Sequence, residues 1–551
     1  MVTKKLYLVG PGESSAQSYD IGSPKSLEDL QAGVASLAEL QTVADILASD
    51  PIGITVDGNG IREPHAPEGL PFFGNHFEIF PDHVGNHGRL FAKYGSVIKT
   101  NNMGRITYLA NTPEIAQVVL KEGEYFTKAP SVPDHPLYGI RDEAALFVCD
   151  TDHAAWKDSH KFIPPSMTPR AVKHYTPVIQ KSVDASFNVL DQIDARREAF
   201  NVHQFTAKLT SQVICQLVLG VDLHHFESID TPLHKLIQLI QQYLTLNRRV
   251  QSKGTWYQYL PFGDPAQLQR VRKELYTLIE QAVRDAKRGG TADLPIHTAA
   301  LHASSIVDYL VRATDENGKK LAPEYVLSNA FVLVAAGFVT SAGQLAWLIH
   351  ALITHPGDHQ ARLLQELLDH GAHHGKTWTF DEIQALPFLD SFVKETQRMH
   401  GTAFQPARNA RKDVILPGGW HVPAGAIVVP SLPHLHRHAG VWDNPDVFDP
   451  DRWRTDKVRE RHRAAFVPFA AGARGCIGFN AALQELKIAL AELVFRYHFV
   501  DACREPVDYD PEFTLLLPVN CYARAMRRTT WPEPRPVQKS ESLQNGVGGE
   551  K

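Results

Sequence analysis

"FAAGARGCIG", residues 469–478, gathers three glycines, one arginine and one cysteine into a short loop. The chain has five cysteines in all, and one used only for packing belongs in an apolar run, as Cys215 does in "SQVICQLVLG" (211–220). Glycines in place of side chains imply that backbone here must come close to something large and flat. The run that follows, "IGFNAALQELKIALAELVF" (477–495), is strongly helical, so Cys476 is expected at a helix N-terminus. There the helix dipole and free N–H groups favour a thiolate, which is a soft metal ligand.

The rest of the chain bounds what such a ligand could serve. It has 551 residues, 43% hydrophobic and 21% charged, with a formal net charge of -5. That is ordinary globular composition with length for a large core. The charge and the lack of a long basic run argue against a nucleic-acid partner. Five scattered cysteines argue against a disulfide framework and fit a reducing compartment, so a cytoplasmic location is expected. The opening "MVTKKLYLVGPGESS" is too short in apolar residues for a signal peptide or membrane anchor. The one long apolar segment, "FVLVAAGFVTSAGQLAWLIHALI" (331–353), carries Thr340, Ser341 and Gln344 at its centre. It reads as a helix buried on all sides.

Residues 1–63 read as a polar N-terminal extension with one amphipathic stretch, "SLEDLQAGVASLAELQTVADILA" (26–48). "EPHAPEGLPFFGN" (63–75) is a proline-punctuated entry to the main domain. "SVIKT" and "RITYLA" alternate as strands of a small antiparallel sheet, and helical periodicity dominates from about 150 to 400. A second strand-rich stretch, "DVILPGGWHVPAGAIVVPS", follows. Residues 529–551 read as a disordered tail. The expectation is one domain over 64–528, mainly α with a minor β part.

A thiolate at this site can hold a haem iron and push electron density onto it. Gly472 and Gly478 would let backbone approach the macrocycle, and Arg474 can reach a propionate. With Phe469, Gly472, Arg474, Cys476 and Gly478 all in place, the loop resembles the Phe-x-x-Gly-x-Arg-x-Cys-x-Gly motif of the cytochrome P-450 superfamily. Two further motifs lie in the right order. "ETQR" supplies Glu395 and Arg398, one helical turn apart. "NPDVFDPDRW" supplies Arg452, which the resemblance joins to that pair behind the haem. "HAAWKDSHKFIPPSM" resembles the helix over the propionates, with Trp156 and His160 as donors; histidine at this place is similar to reductase-fused fatty-acid hydroxylases. "RNARKD" places Arg408 at a further propionate-binding position.

In "AAGFVTSA" the resemblance makes Gly337 and Thr340 the oxygen notch, with Thr340 bonded to the carbonyl one turn back. Val339 stands where the family usually has an acid. The resemblance thus implies a cytochrome P-450 fold, haem b (iron protoporphyrin IX) as cofactor, and Cys476 as axial ligand. It also implies a monooxygenase fed by a separate NAD(P)H-dependent reductase or ferredoxin. Residues of "HPLYGIRDEAALF", Phe338, "GTAFQPA" and "FTLLLPVN" would line a mostly apolar pocket, favouring a lipid-like or terpenoid-like substrate. Val339 leaves open an oxygen-independent isomerase, a coupling enzyme or a peroxide user. A haem sensor without turnover is the reading from another class. "HLHRH" (434–438) has metal-like spacing, "HGAHHG" reads as a solvated loop, and the basic run "DRWRTDKVRERHR" suits docking of an acidic electron donor.

Overall fold

The computed structural model describes residues 60–288, 292–403, 405–511 and 513–535, with the backbone of two short paired strands, Lys5–Val9 and Ala16–Asp20. The amphipathic stretch at 26–48 and the end of the tail lie outside the described residues. Eight helices organise the body: α1 Ala154–Phe162, α2 Pro169–Ala195, α3 Val202–Leu219, α4 Lys235–Gln251, α5 Gly263–Arg288, α6 Pro323–Thr354, α7 Pro387–Met399 and α8 Phe479–Arg496. The strands Val97–Asn102, Arg105–Ala110, Ile427–Pro430, Arg408–Ala410 and Phe126–Thr127 lie side by side in that order to form the principal sheet. The expected mainly helical fold with a minor β part is what forms.

Local chemistry sets the helix ends. Thr168 caps α2, accepting from the Ala171 N–H at 3.3 Å, with Pro169 in the first turn. α6 begins at Pro323 for the same reason. It is long and apolar enough to cross a membrane, yet 72% of its most apolar window is buried within the protein. α3 packs along it: the Thr206 and Thr210 hydroxyls donate to the Ala342 and Phe338 carbonyls at 2.9 and 3.2 Å. A Cβ on Gly337 would lie 2.5 Å from Ile214 Cδ1 of α3. Glycine at 337 therefore lets two helices approach. Two large apolar cores result. One joins the first half of α6 to α3, α4 and α5, and the other joins its second half to α2, α7 and α8.

The domain's ends differ from expectation. Ile61 is buried, and Arg62 stacks on Trp420 while bonding the Gly418 carbonyl, so ordered packing begins before residue 64. At the other end Trp531 stacks on Phe495 and donates to its carbonyl at 2.9 Å. Residues 529–535 are thus docked, because an aromatic ring can bury against α8 even in a polar stretch.

Candidate functional site

The loop at 469–478 closes on itself. The Cys476 N–H donates to the Phe469 carbonyl, and the Gly475 N–H to the Gly472 carbonyl, both at 2.9 Å. Gly472 has φ +73°, and a Cβ there would lie 2.5 Å from the Leu120 carbonyl oxygen. Gly472 is therefore required by the turn and by the chain at Leu120. Gly478, the cap of α8, has the opposite character, since a Cβ on it would meet nothing within 4 Å. The space beside it is open, which suits a flat group.

Cys476 is accessible, but the surrounding protein desolvates its thiol and pushes its pKa above the ordinary value, against a hydrogen bond with the Gly478 backbone. A bound metal cation would favour the thiolate form of this sulfur.

α6 supplies a second accessible strip. Val332, Ala335, Ala336, Gly337 and Thr340 stay partly or fully accessible in the middle of a helix whose neighbouring positions are buried. The Thr340 hydroxyl donates to the Ala336 carbonyl at 2.6 Å, as the sequence led us to expect. Val339 is off this strip, 2% exposed and packed in the apolar core, so the position of the missing acid is one where valine satisfies its neighbours. Phe338, expected to line the pocket, is likewise buried, on the side of α3. Ile477, next to Cys476, packs against the same large apolar core as Val332 and Ala335.

Between these elements the fold collects positive charge. Arg408, 2% exposed on its sheet strand, lies 2.7 Å from Glu122 Oε1, and its Nη2 has no partner. Arg474 donates from Nη2 to the Phe147 and Cys149 carbonyls at 3.0 Å, leaving Nη1 buried and unpartnered. Lys128 Nζ donates to the Phe147 carbonyl at 2.7 Å. His135 is buried with Nε2 unpartnered. Burial first, then Arg474 and Arg408, holds Lys128 well below the usual lysine range. Burial, followed by Lys128 and Arg408, does the same to His135. Burial also brings Arg408 down to about 10, with Glu122 opposing. Cations that depress one another around a single carboxylate form a site for an anion. On α1, Trp156 and His160 stack at 4.6 Å and the Arg474 guanidinium lies 5.6 Å from the Trp156 ring, so both join this cluster. The unpartnered N–H groups fit two carboxylates of a porphyrin.

Behind the loop lies a buried ionic lock. Glu395 of α7 is fully buried and receives Arg398 Nε and Nη2 at 3.0 and 2.9 Å and Arg452 Nε at 2.9 Å. Trp453 Nε1 and the Asp449 N–H complete it at 2.9 and 2.8 Å. The two arginines spend their other donors on the carbonyls of Asp443, Asn444, Pro445, Val447 and His436. This pins the 443–453 segment to α7.

Lys128, His135, Glu122 and Trp453 were missed by sequence reasoning. His135 lay in a segment assigned to substrate contact, and an isolated lysine in "YFTKAPSV" carries no local signal. The other sequence candidates resolve simply. His434 bonds Ser431 and His436 accepts from the Val467 N–H. Among the described residues no group of three or more His, Cys, Asp or Glu could hold a metal ion. In the "HGAHHG" loop, His374 packs edge-on against Trp531. Part of the basic run 451–463 is structural, with Arg452 in the lock and Arg461 over Trp442.

Comparisons with known proteins agree with this geometry. The family model "Cytochrome P450" matches residues 64–522. Cytochrome P450 monooxygenase alnD of Emericella nidulans is 60% identical, over 97% of this chain and 100% of that one. Cytochrome P450 4F3 of Mus musculus is 26% identical, over 64% of this chain and 68% of its own. The crystal structure of the cytochrome P450DA heme domain superposes with a TM-score of 0.74, covering 85% of this chain and 98% of that one at 23% identity, a likeness of fold. These matches favour oxygen-dependent monooxygenation over the isomerase, coupling, peroxide-using and sensor readings. The chain belongs to the cytochrome P450 family and is a haem-thiolate monooxygenase.

Proposed function

We propose that this enzyme inserts one oxygen atom into an apolar small molecule, with haem b held by Cys476 and with electrons from a separate NAD(P)H-dependent reductase or ferredoxin. The observation that carries the reading is the accessible Cys476 thiol at the start of α8, on the same core as the accessible strip of α6 and flanked by unpartnered cationic N–H groups. When bound, haem supplies oxygen activation that no side chain can. The chain's own residues do the rest. Arg408 Nη2, Arg474 Nη1 and His135 Nε2 would donate to the propionates, with Lys128 beside them and Trp156 and His160 closing over them. Phe469 and Gly478 shape the loop around Cys476, whose thiolate a bound iron would stabilise. Thr340 holds a proton-bearing hydroxyl at the notch while the apolar wall keeps bulk water out.

The segments at 402 and 517 meet α6 at Gly343, where a Cβ would lie 2.9 Å from Thr402 Cγ2 and 2.5 Å from Leu517 Cδ2. The segments expected to line the pocket are mostly apolar, which supports a lipid-like or terpenoid-like substrate. A cytoplasmic setting fits the five free cysteines. The test is a reduced carbon monoxide difference spectrum, then a product screen with surrogate electron donors under labelled oxygen gas. Label in the product is expected, and active turnover without it overturns the reading.

A further inference from the structure

Cys503 and Cys521 have no part in the site above, yet the fold sets them face to face. The strand Tyr497–Asp501 runs antiparallel to Tyr522–Arg527, with Asp501 opposite Ala523. The Ala502 N–H donates to the Tyr522 carbonyl at 3.1 Å, so the same register carries on past the end of the first strand. One step further along it, Cys503 stands opposite Cys521. Bonded and non-bonded pairs alternate in an antiparallel ladder. Ala502 and Tyr522 are bonded, so the two cysteines form the closer, non-bonded kind, whose Cα atoms lie about 4.5 Å apart. A disulfide spans Cα separations of about 4.4–6.8 Å. The side chain agrees. Cys503 Sγ accepts from the Tyr522 N–H and donates to the Tyr522 carbonyl, both at 3.3 Å, which puts the sulfur against the residue next to Cys521.

We propose that Cys503 and Cys521 are an oxidisable dithiol, which hydrogen peroxide closes to an intramolecular disulfide. Access to the two is unequal. Cys503 is half-buried beside a surface cleft that it shares with His350, Asp501 and Arg504, whereas Cys521 is 1% exposed in the second core. Cys503 therefore reacts first. It gives up its proton and attacks peroxide, the O–O bond breaks, the sulfur keeps one oxygen as a sulfenic acid, and one water leaves. The Cys521 sulfur then attacks that sulfur, the S–O bond breaks, and a second water leaves. Two thiols give up two electrons and two protons, and one peroxide becomes two waters.

The crosslink joins the two ends of the 504–520 segment. This segment carries the paired strands Asp508–Tyr509 and Pro518–Val519 and runs on to α4 and α6. Thr514 donates to the Leu244 carbonyl at 3.0 Å, Leu516 N–H to the Thr402 carbonyl at 2.9 Å, and Trp347 Nε1 to the Leu516 carbonyl at 2.9 Å. Oxidation thus clips the base of a segment expected to line the pocket. The other cysteines are set apart: Cys215 on α3 in the first core, Cys149 beside Arg474, and Cys476 just ahead of α8. Burial holds the Cys503 and Cys521 thiols above the ordinary cysteine range, so the pair is a slow one that reacts faster as pH rises.

The test treats the purified holoenzyme with hydrogen peroxide over a range of pH, and separately with diamide, which oxidises dithiols and spares haem. Remaining thiols are blocked in denaturant, and the protein is digested without reductant and mapped by mass spectrometry. Wild type should lose one pair of thiols per chain and yield linked peptides carrying Cys503 and Cys521. The link should form faster at higher pH and be reversed by dithiothreitol. Cys503→Ser should keep its remaining thiols under diamide. Cys521→Ala should leave Cys503 under peroxide as a sulfenic acid that dimedone traps, and if its smaller buried side chain stops it folding, the Cys503→Ser result decides alone. Both thiols retained in wild type, a link to any other cysteine, a crosslink between two chains, or the same thiol loss in Cys503→Ser would each overturn the proposal.

Discussion

Replacing Glu395 by alanine removes the one carboxylate that two buried guanidinium groups share. Glu395 and Arg398 are 0% and 1% exposed and Arg452 7%, so solvent offers little screening. The carboxylate accepts five hydrogen bonds between 2.8 and 3.0 Å, three of them from the arginines. Each arginine keeps its carbonyl partners, which limits the loss but leaves two like charges facing one another. Breaking a buried pair in this way costs about 3–5 kcal/mol, against about 5–15 kcal/mol for a whole domain. A surface pair on α5 serves as the control. Arg284 and Glu280 lie 2.9 Å apart with both side chains about half exposed, and Glu280→Ala should cost about 0.5 kcal/mol or less. Urea unfolding of the purified holoenzymes measures both. Glu395→Ala should also lose much of its bound haem, because Trp453 of the segment it pins packs on Phe466, just ahead of the cysteine loop. A cost for Glu395→Ala as small as that of Glu280→Ala would refute the reasoning.

Cys476→Ser should abolish the thiolate-type carbon monoxide band, and a retained band would remove Cys476 from its assigned role. Thr340→Ala removes the hydroxyl bonded to Ala336 and should raise peroxide release while product falls, with little change in unfolding midpoint. Gly472→Ala places a Cβ against the Leu120 carbonyl at a left-handed φ and should cost ~2 kcal/mol, read by urea unfolding and by haem content. Glu485→Gln should be the more stable protein at high pH. The unfolded carboxyl releases its proton near 4.5 while the folded one keeps it to about 8. Wild type therefore loses stability as pH rises through that window, up to about 5 kcal/mol, and the glutamine variant does not. Parallel unfolding midpoints for the two proteins across this range would contradict that assignment.

The parts of the molecule legible in the sequence are those whose chemistry is local. The cysteine loop, the Glu395–Arg398 pair and the Thr340 bond to Ala336 each depend on neighbours within one or two turns. What was not legible depends on distant chain segments meeting. That Gly337 also lets α3 approach shows only when Ile214 is seen against it. Lys128, His135 and Arg408 come from two loops and a strand, and only folding shows that they share one pocket. Trp531 sits in a proline-rich polar stretch whose composition conceals one well-placed ring.

The cationic pocket also bears on how the enzyme is made. Lys128, Arg408 and Arg474 are held close together and dehydrated around Glu122, an arrangement that opposes closure of the bare polypeptide. A dianionic porphyrin bound there would neutralise it, and the cofactor would then act as a folding ligand whose free concentration sets the population of closed chains. Newly synthesised protein would then mature at the pace of porphyrin supply. Starving the producing cell of iron or of porphyrin precursors should lower the amount of soluble protein as well as its activity.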